Sequence, residues 1–239
     1  SGEAGWEGVM SVTTMTRPSR VTAGSTDGET RIRVPGVRYQ VYESWVQSLP
    51  ESTPIRMAYD GRSMELMVKG RKHDNYRELL GEIVRAITQE LAIPMSSNGE
   101  TTWIRPEIER GLEADQSYYF LPEKLAAAKA AMARGSNDVA DYPNPDLAIE
   151  VDISPSQVDR PEIYAKLQVA EVWRFDGQTL TIERLDDHGR YLPVEASPFL
   201  KVRADQVTPW LIDEDSSDET AWARRLRAWV RAELLPRGA

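Results

Sequence analysis

Apolar positions recur along the chain with two periods, one typical of helices and the other of strands. Between residues 72 and 91 they recur every three or four residues, which predicts a long amphipathic helix. Residues 55–59 and 63–68 alternate instead, and the intervening Asp60-Gly61 indicates a hairpin turn. The same criteria predict helices over 39–49, 122–133, 163–169 and 220–235, and strands over 101–104, 117–120, 146–153, 171–175, 178–184 and 190–195.

This order of elements predicts an α/β protein with one mixed sheet and helices on both of its faces. Residues 1–35 are rich in Gly, Ser, Thr and Arg and show little periodicity, so we expect a flexible N-terminal arm. The domain itself is expected over 36–213. Residues 214–239 should form a C-terminal amphipathic helix that packs on the domain or on a partner chain.

The predicted strand at 146–154 carries the clearest candidate chemistry. Strand side chains alternate between faces, so Asp146, Glu150 and Asp152 should share one face of a half-buried strand. Three carboxylates on one face repel each other, and a divalent cation would relieve that repulsion, because Mg²⁺ prefers hard oxygen ligands. A solvated sheet face with charged residues is an equally good interpretation of this spacing.

Further candidate residues lie outside this strand. Asp115 precedes an aromatic strand and would share a metal with Glu150 if the two strands are neighbours, although a plain acidic turn is the simpler interpretation. Glu65 lies on the strand before the long helix. His73 opens that helix and should point to its inner face, where a lone histidine is more often structural than catalytic.

Composition removes several classes of function. The chain of 239 residues contains no cysteine, which excludes disulfides, zinc–thiolate sites and thiol catalysis and fits a cytoplasmic protein. No stretch resembles a membrane-spanning helix or a signal peptide, so no membrane partner is expected. Phosphate-binding glycine loops, HExxH helices and GxSxG elbows are also missing. The net charge of −9 argues against a nonspecific nucleic-acid binder, which would usually be basic.

Several segments together resemble a known family. Glu65, the helix opened by His73, GLEADQSYYF, PDLAIEVDISPSQVDR and IYAKLQVAEVWRFDG occur in the order typical of the Uma group of restriction endonuclease-like proteins. That group belongs to the PD-(D/E)xK nuclease superfamily, and the resemblance covers about residues 38–212. It implies a restriction-endonuclease-like core with flanking helices, acids at one sheet edge that bind Mg²⁺ or Mn²⁺, and DNA as the substrate.

The resemblance also implies roles for single residues. Asp115 matches the first metal-binding acid, Glu150 the second, and Glu65 the acid supplied by the earlier strand. His73 matches the histidine that opens the long helix and would relay a proton. Asp152 would support the metal ligands, but it occupies the position where the superfamily keeps a lysine.

The basic residue of this group is expected in the following helix, at Arg160 with Lys166 nearby. Either would orient the attacking water or neutralise phosphate charge, but an arginine is a poor base. The alternative is therefore a catalytically weak or inactive nuclease fold that serves as a binding module. A metal-dependent hydrolase with another substrate, and a homodimer, also stay open. The basic residues of 224–231 would contact a partner or a phosphate backbone, or more simply face solvent.

Overall fold

The structure is a computed structural model that describes residues 20–26, 29–50 and 53–235. The strands of this part of the chain are β1 (Thr22–Thr26), β2 (Glu29–Pro35), β3 (Ile55–Tyr59), β4 (Ser63–Val68), β5 (Ser96–Ser97), β6 (Thr102–Arg105), β7 (Arg110–Glu113), β8 (Gln116–Tyr119), β9 (Leu147–Val151), β10 (Glu171–Phe175), β11 (Leu180–Leu185) and β12 (Tyr191–Pro193). The α-helices are α1 (Tyr39–Ser48), α2 (Arg71–Glu90), α3 (Pro122–Ala133), α4 (Arg160–Lys166), α5 (Ala204–Leu211) and α6 (Glu219–Glu233).

The strands form two six-stranded sheets, so the prediction of a single mixed sheet is wrong. Sheet 1 is antiparallel and has the order β1-β2-β4-β3-β7-β6. Sheet 2 has the order β12-β11-β10-β9-β8-β5 and is mixed, because β9 and β10 run parallel. Periodicity identifies strands but not their partners, which is why the sequence did not separate the two sheets. The predicted α/β class with flanking helices is confirmed.

The N-terminal arm differs most from its prediction. Strands β1 and β2 form an antiparallel hairpin, and β2 continues sheet 1 by pairing with β4. Glu29 is fully buried and Arg31 is 2% exposed. The composition suggested disorder because this segment is polar and has no apolar periodicity. Strand β2 is nevertheless ordered, because its charged side chains face a buried surface and its backbone hydrogen-bond partners come from a distant strand. Residues 1–19 of the predicted arm lie outside the described residues.

Helix α2 covers one face of sheet 2. Its apolar side chains, among them Leu80, Ile83 and Val84, pack against Ile149 and Trp173 of the central strands. Burying an aliphatic side chain of this size contributes about 1.5–3 kcal/mol each, so this contact is a main source of stability. The opposite face of sheet 2 is also covered, because a second apolar cluster joins it to α4 and to sheet 1. Strand β9 is therefore buried on both faces and not half-buried as predicted.

Helix α6 packs on α2 through one apolar stripe. Trp222, Leu226 and Val230 are buried and recur every four residues, as the amphipathic pattern predicts. The indole of Trp222 also packs edge-on against Trp210 of α5, with ring centroids 6.1 Å apart. Within the described residues, no helix is both long and apolar enough to cross a membrane.

Candidate active site

The candidate site lies where the chain crosses from sheet 1 to sheet 2, at Asp115 between β7 and β8. The Asp115 amide donates to the carbonyl of Ile149 at 3.2 Å, just beyond the β8–β9 pairing, which begins at Gln116 and Ile149. The Oδ2 atom of Asp115 accepts a hydrogen bond from the Val151 amide at 2.7 Å. The fold thus brings together two acids that are 35 positions apart in the sequence (115 and 150).

Asp115 is buried between cationic and polar partners. Arg56 of β3 places Nη1 3.0 Å from Oδ1, and the Nε2 atom of His73 lies 3.1 Å from Oδ2. Burial alone would raise the pKa of Asp115, but Arg56, His73 and the Val151 amide together hold this pKa well below its ordinary value. Asp115 is therefore ionised throughout the physiological range.

Glu150 is held by two side chains of α4. The Nη2 atom of Arg160 lies 2.7 Å from Oε1 and 2.9 Å from Oε2, and the Tyr164 hydroxyl donates to Oε1. Arg160 and Tyr164 are four residues apart, so they project from the same face of the helix. Burial raises the pKa of Glu150 despite the contact with Arg160, and the nearby charges of Asp115 and Asp152 raise it further.

Glu65 joins sheet 1 to the loop that follows β9. Its carboxylate pairs with Arg31 Nη1 at 3.0 Å and accepts the Gln157 amide at 2.6 Å and the Ser156 hydroxyl at 3.2 Å. Arg160 Nη1 approaches the same carboxylate at 3.7 Å. Through Arg160, Glu65 and Glu150 therefore belong to one charge cluster.

Asp152 lies at the edge of this cluster and is its most accessible predicted member. Its side chain is 19% exposed, with Arg31 Nη2 at 3.3 Å from Oδ1 and Arg174 Nη1 at 3.7 Å from Oδ2. Solvent thus reaches the cluster beside Asp152, while Asp115 and Glu150 lie deeper.

The structure brings together all the predicted site residues except Lys166. This lysine is exposed in the last turn of α4 and makes no hydrogen bond or ion pair with any residue of the cluster. Helix α4 begins earlier than predicted, because the Asp159 carboxylate accepts the Glu162 amide and caps it. Arg160 then occupies the first turn and faces inward with Tyr164. Lys166 is two residues beyond Tyr164 and so points to the other side of the helix.

Asp146, the remaining acid of the β9 segment, has a structural role. Its Oδ2 atom accepts the amides of Phe120 and Leu121 at 2.8 Å each, just before α3 begins. Lys124 of α3 lies 2.7 Å from its other oxygen. These contacts fix α3 against sheet 2, and none of them joins Asp146 to the charge cluster.

Sequence reasoning missed several members of the cluster, among them Glu29, Arg31, Arg56 and Tyr164. Glu29 and Arg31 were assigned to the flexible arm, and Arg56 was given no role beyond its place in the predicted strand over 55–59. Only Tyr164 had a usable signal, because its four-residue spacing from Arg160 places the two side chains on one helix face.

The donor atoms of the cluster suit a hard divalent cation. Mg²⁺ prefers carboxylate oxygens and is usually held by one or two carboxylates together with several waters. Asp115 and Glu150 offer such oxygens, and their lone pairs are not all used by the hydrogen bonds above. Oε1 of Glu29 is also buried without a hydrogen-bond partner, 3.9 Å from Nε2 of His73. Among the described residues, no group of three or more acids or histidines forms a ready-made metal cage. Asp115 and Glu150 thus offer the type of donor atom that a hard divalent cation prefers, without forming a complete set of ligands.

Comparison with known proteins gives a matching family model and a similar solved structure. The family model Uma2, described as "Putative restriction endonuclease", matches residues 42–212. The crystal structure of a putative nuclease belonging to DUF820, from Anabaena variabilis, is similar with a TM-score of 0.48 and 14% sequence identity, over 74% of this chain and 99% of that one. A search of curated proteins found no match. The matched segment includes Asp115 and Glu150 but excludes β1 and β2.

Proposed function

This chain belongs to the Uma2 family of restriction endonuclease-like proteins, and on that premise we propose that it is a metal-dependent endonuclease that hydrolyses phosphodiester bonds in DNA. The observation that carries the proposal is that Asp115 and Glu150, which come from separate segments, are buried in one charge cluster and are close enough for the charge of Asp115 to affect Glu150. Buried acids with strongly perturbed pKa values are characteristic of functional sites.

Asp115 and Glu150 are the residues that would hold Mg²⁺ or Mn²⁺, with Glu65 in support. A bound divalent cation supplies an activated water at neutral pH and polarises the scissile phosphate. Arg56 and the Val151 amide keep Asp115 ionised and fix its orientation. Asp115 is thus an ionised carboxylate with a fixed orientation.

Arg160 and His73 have distinct roles in this proposal. Arg160 orients Glu150 and carries a permanent charge that offsets the negative charge of a phosphate, but it is a poor proton acceptor. His73, with Nε2 3.1 Å from Asp115, is the group placed to take up or return a proton there. Lys166 has no part in this mechanism.

One observation favours a second candidate function, a nuclease fold kept as a binding module. Each of the three candidate metal ligands is already paired with an arginine: Asp115 with Arg56, Glu150 with Arg160, and Glu65 with Arg31. Such pairing stabilises the carboxylates without a metal. Under this alternative the cluster is structural, and Mn²⁺ does not bind to it.

The test compares DNA cleavage by the wild type and by Glu150→Gln and Asp115→Asn, on plasmid DNA with Mg²⁺ or Mn²⁺. Both variants should lose cleavage, because each removes one carboxylate charge from the metal. Glu162→Gln is the matched control: Glu162 also forms a two-point pair with an arginine, Arg110, at 2.8 and 2.9 Å, but outside the cluster. It should cleave like the wild type.

Calorimetry with Mn²⁺ separates the two candidate functions. The endonuclease proposal expects binding by the wild type and by Glu162→Gln, and weaker binding by Glu150→Gln. If the wild type neither binds Mn²⁺ nor cuts DNA, the endonuclease proposal is wrong and the binding module is favoured. Thermal unfolding of every variant shows whether a lost activity reflects a lost fold.

A further inference from the structure

Strand β2 lies outside the segment that matches the family, yet it contributes side chains to the candidate site. The match begins at residue 42, whereas β2 ends at Pro35. Pairing with β4 orients β2 so that Glu29 and Arg31 face the cluster, where they are 0% and 2% exposed. Burying a charged side chain is costly unless it is paired. The contacts of these two residues should therefore explain their burial.

Arg31 connects three side chains of the site with one guanidinium group. Its Nη1 atom lies 3.0 Å from Glu65 of β4, its Nη2 atom lies 3.3 Å from Asp152 after β9, and its Nε atom donates to the Ser154 hydroxyl at 2.9 Å. The rigid fork of an arginine fixes the relative positions of groups that it binds in this way.

The loop at 154–157 depends on β2 for its position. Glu29 accepts the Ser154 amide at 3.1 Å, and the Ser154 hydroxyl also donates to Glu29. Glu65, held by Arg31, accepts the Gln157 amide at 2.6 Å. The Thr22 hydroxyl of β1 also donates to the side chain of Gln157. The hairpin thus contacts both ends of this loop.

This loop leads directly into α4, whose Arg160 and Tyr164 hold Glu150. A path of direct contacts therefore runs from Arg31 through Glu65 and the loop to Arg160 and Glu150. Arg31 itself contacts neither Asp115 nor Glu150 at hydrogen-bonding distance among the described residues. Any effect on those two acids has to pass through its partners.

We propose that Arg31 is a positioning residue of the nuclease site, which makes the β1–β2 hairpin a working part of that site. The inference rests on the proposed endonuclease function. Arg31 sets the position of Glu65 and of the loop before α4, and thereby orients Arg160, the group that offsets phosphate charge. Losing it should slow the chemical step while leaving DNA and metal affinity in place, because Asp115 and Glu150 stay intact.

The test measures kcat, KM and the Mn²⁺ dissociation constant for the wild type and for Arg31→Met, Arg31→Lys and Arg33→Met. Arg33 is the matched control, since it lies on the same face of β2 and forms no ion pair with the described residues. Arg31→Met should lower kcat about 100-fold, the effect of a misplaced catalytic group, with KM and the Mn²⁺ dissociation constant unchanged. Arg33→Met should match the wild type.

Arg31→Lys provides a rescue and a safeguard against misfolding. A lysine keeps the charge beside Glu65 but cannot bind Glu65, Asp152 and Ser154 together, so kcat should recover about tenfold relative to Arg31→Met and stay below the wild type. If Arg31→Met fails to fold, the inference is tested on Arg31→Lys instead. A reduced kcat of Arg31→Lys with an unchanged KM then supports the inference.

Two results would overturn the inference while the proposed function stands. One is a wild-type kcat in Arg31→Met or in Arg31→Lys. The other is a loss of Mn²⁺ binding in parallel with kcat, which would make Arg31 a general support of the fold. Absence of cleavage and of Mn²⁺ binding in the wild type itself would instead overturn the proposed function, and the inference with it.

Discussion

Arginine–carboxylate pairs occur in two regions of this molecule with opposite surroundings. At the junction of the sheets, Arg56 and Arg160 have side chains only 4% and 5% exposed, and they contact acids that are 3% exposed. On the α2–α6 contact, Arg227 pairs with Glu82 at 3.2 Å while both side chains are 31% exposed. Both regions contain the same chemical type of pair, but water screens the attraction between the charges only in the exposed pair of Arg227 and Glu82.

The difference in burial indicates which charged side chains reduce the stability of the fold through their loss of hydration. Removing two ions from water costs several kcal/mol per ion, and well-packed apolar residues would often be at least as stable. A cluster of buried acids and arginines therefore points to chemistry at the sheet junction. The α2–α6 contact needs no such explanation, because the buried stripe of Trp222, Leu226 and Val230 holds the helices together.

The largest predicted effect comes from breaking one buried pair. Arg160→Met leaves Glu150 buried without its cation and should reduce the free energy of unfolding by about 4 kcal/mol, as measured by urea denaturation. The control is the double variant Arg160→Met/Glu150→Leu, which removes both charges and should be more stable than the single variant. Equal stabilities of the single and the double variant would show that the pair is not coupled.

In the second region the apolar stripe should dominate. Leu226→Ala removes a fully buried side chain and should cost about 3 kcal/mol, because the cavity adds to the lost burial. Leu235→Ala, where the side chain is 37% exposed, is the control and should cost less than about 0.5 kcal/mol. A small loss in Leu226→Ala would mean that charge pairs, and not apolar contacts, hold α6.

Sequence patterns predicted the elements whose formation depends on neighbouring residues of the chain. Helix α2 and the β3–β4 and β10–β11 hairpins follow from periodicity and from their Asp-Gly turns, and each was predicted within a few residues. The two sheets were not predictable in this way, because pairing of β2 with β4 or of β8 with β9 joins distant segments.

In the candidate site, too, some residues were predictable from the sequence and others were not. Glu65, Asp115 and Glu150 were proposed from carboxylate spacing and from the family resemblance, and the fold brings them into one cluster. Their arginine partners were not proposed, because an arginine on a strand usually indicates a solvent-facing position. Only the tertiary structure shows that the partners of Arg31 and Arg56 are buried acids.

Glu171 of sheet 2 is an intermediate case, a buried acid without an arginine within ion-pair distance among the described residues. Its Oε1 atom accepts the Trp173 indole N–H at 2.7 Å, while Oε2 is buried without a hydrogen-bond partner. Burial raises the pKa of Glu171 above its ordinary value of 4.5. For an acid, a raised folded-state pKa means that ionisation costs stability once the pH exceeds the unfolded-state value.

Glu171→Gln should therefore have a larger free energy of unfolding than the wild type at pH 7. This gain should shrink as the pH falls through the raised pKa and vanish below the ordinary value of 4.5, where Glu171 is neutral in both states. Urea denaturation at a series of pH values checks the sign. Glu195→Gln, on the exposed surface, should show no such trend.

The smallest effect is expected from an exposed pair. Arg227→Gln breaks the contacts with Glu82 at 3.2 Å and Glu90 at 3.6 Å, but water and salt already screen both, so the cost should be below about 0.5 kcal/mol. The stability of this variant should also change little between low and high salt. If Arg227→Gln loses nearly as much unfolding free energy as Arg160→Met, burial does not distinguish the charge pairs of the two regions. Buried charge would then not mark the sheet junction as a functional site.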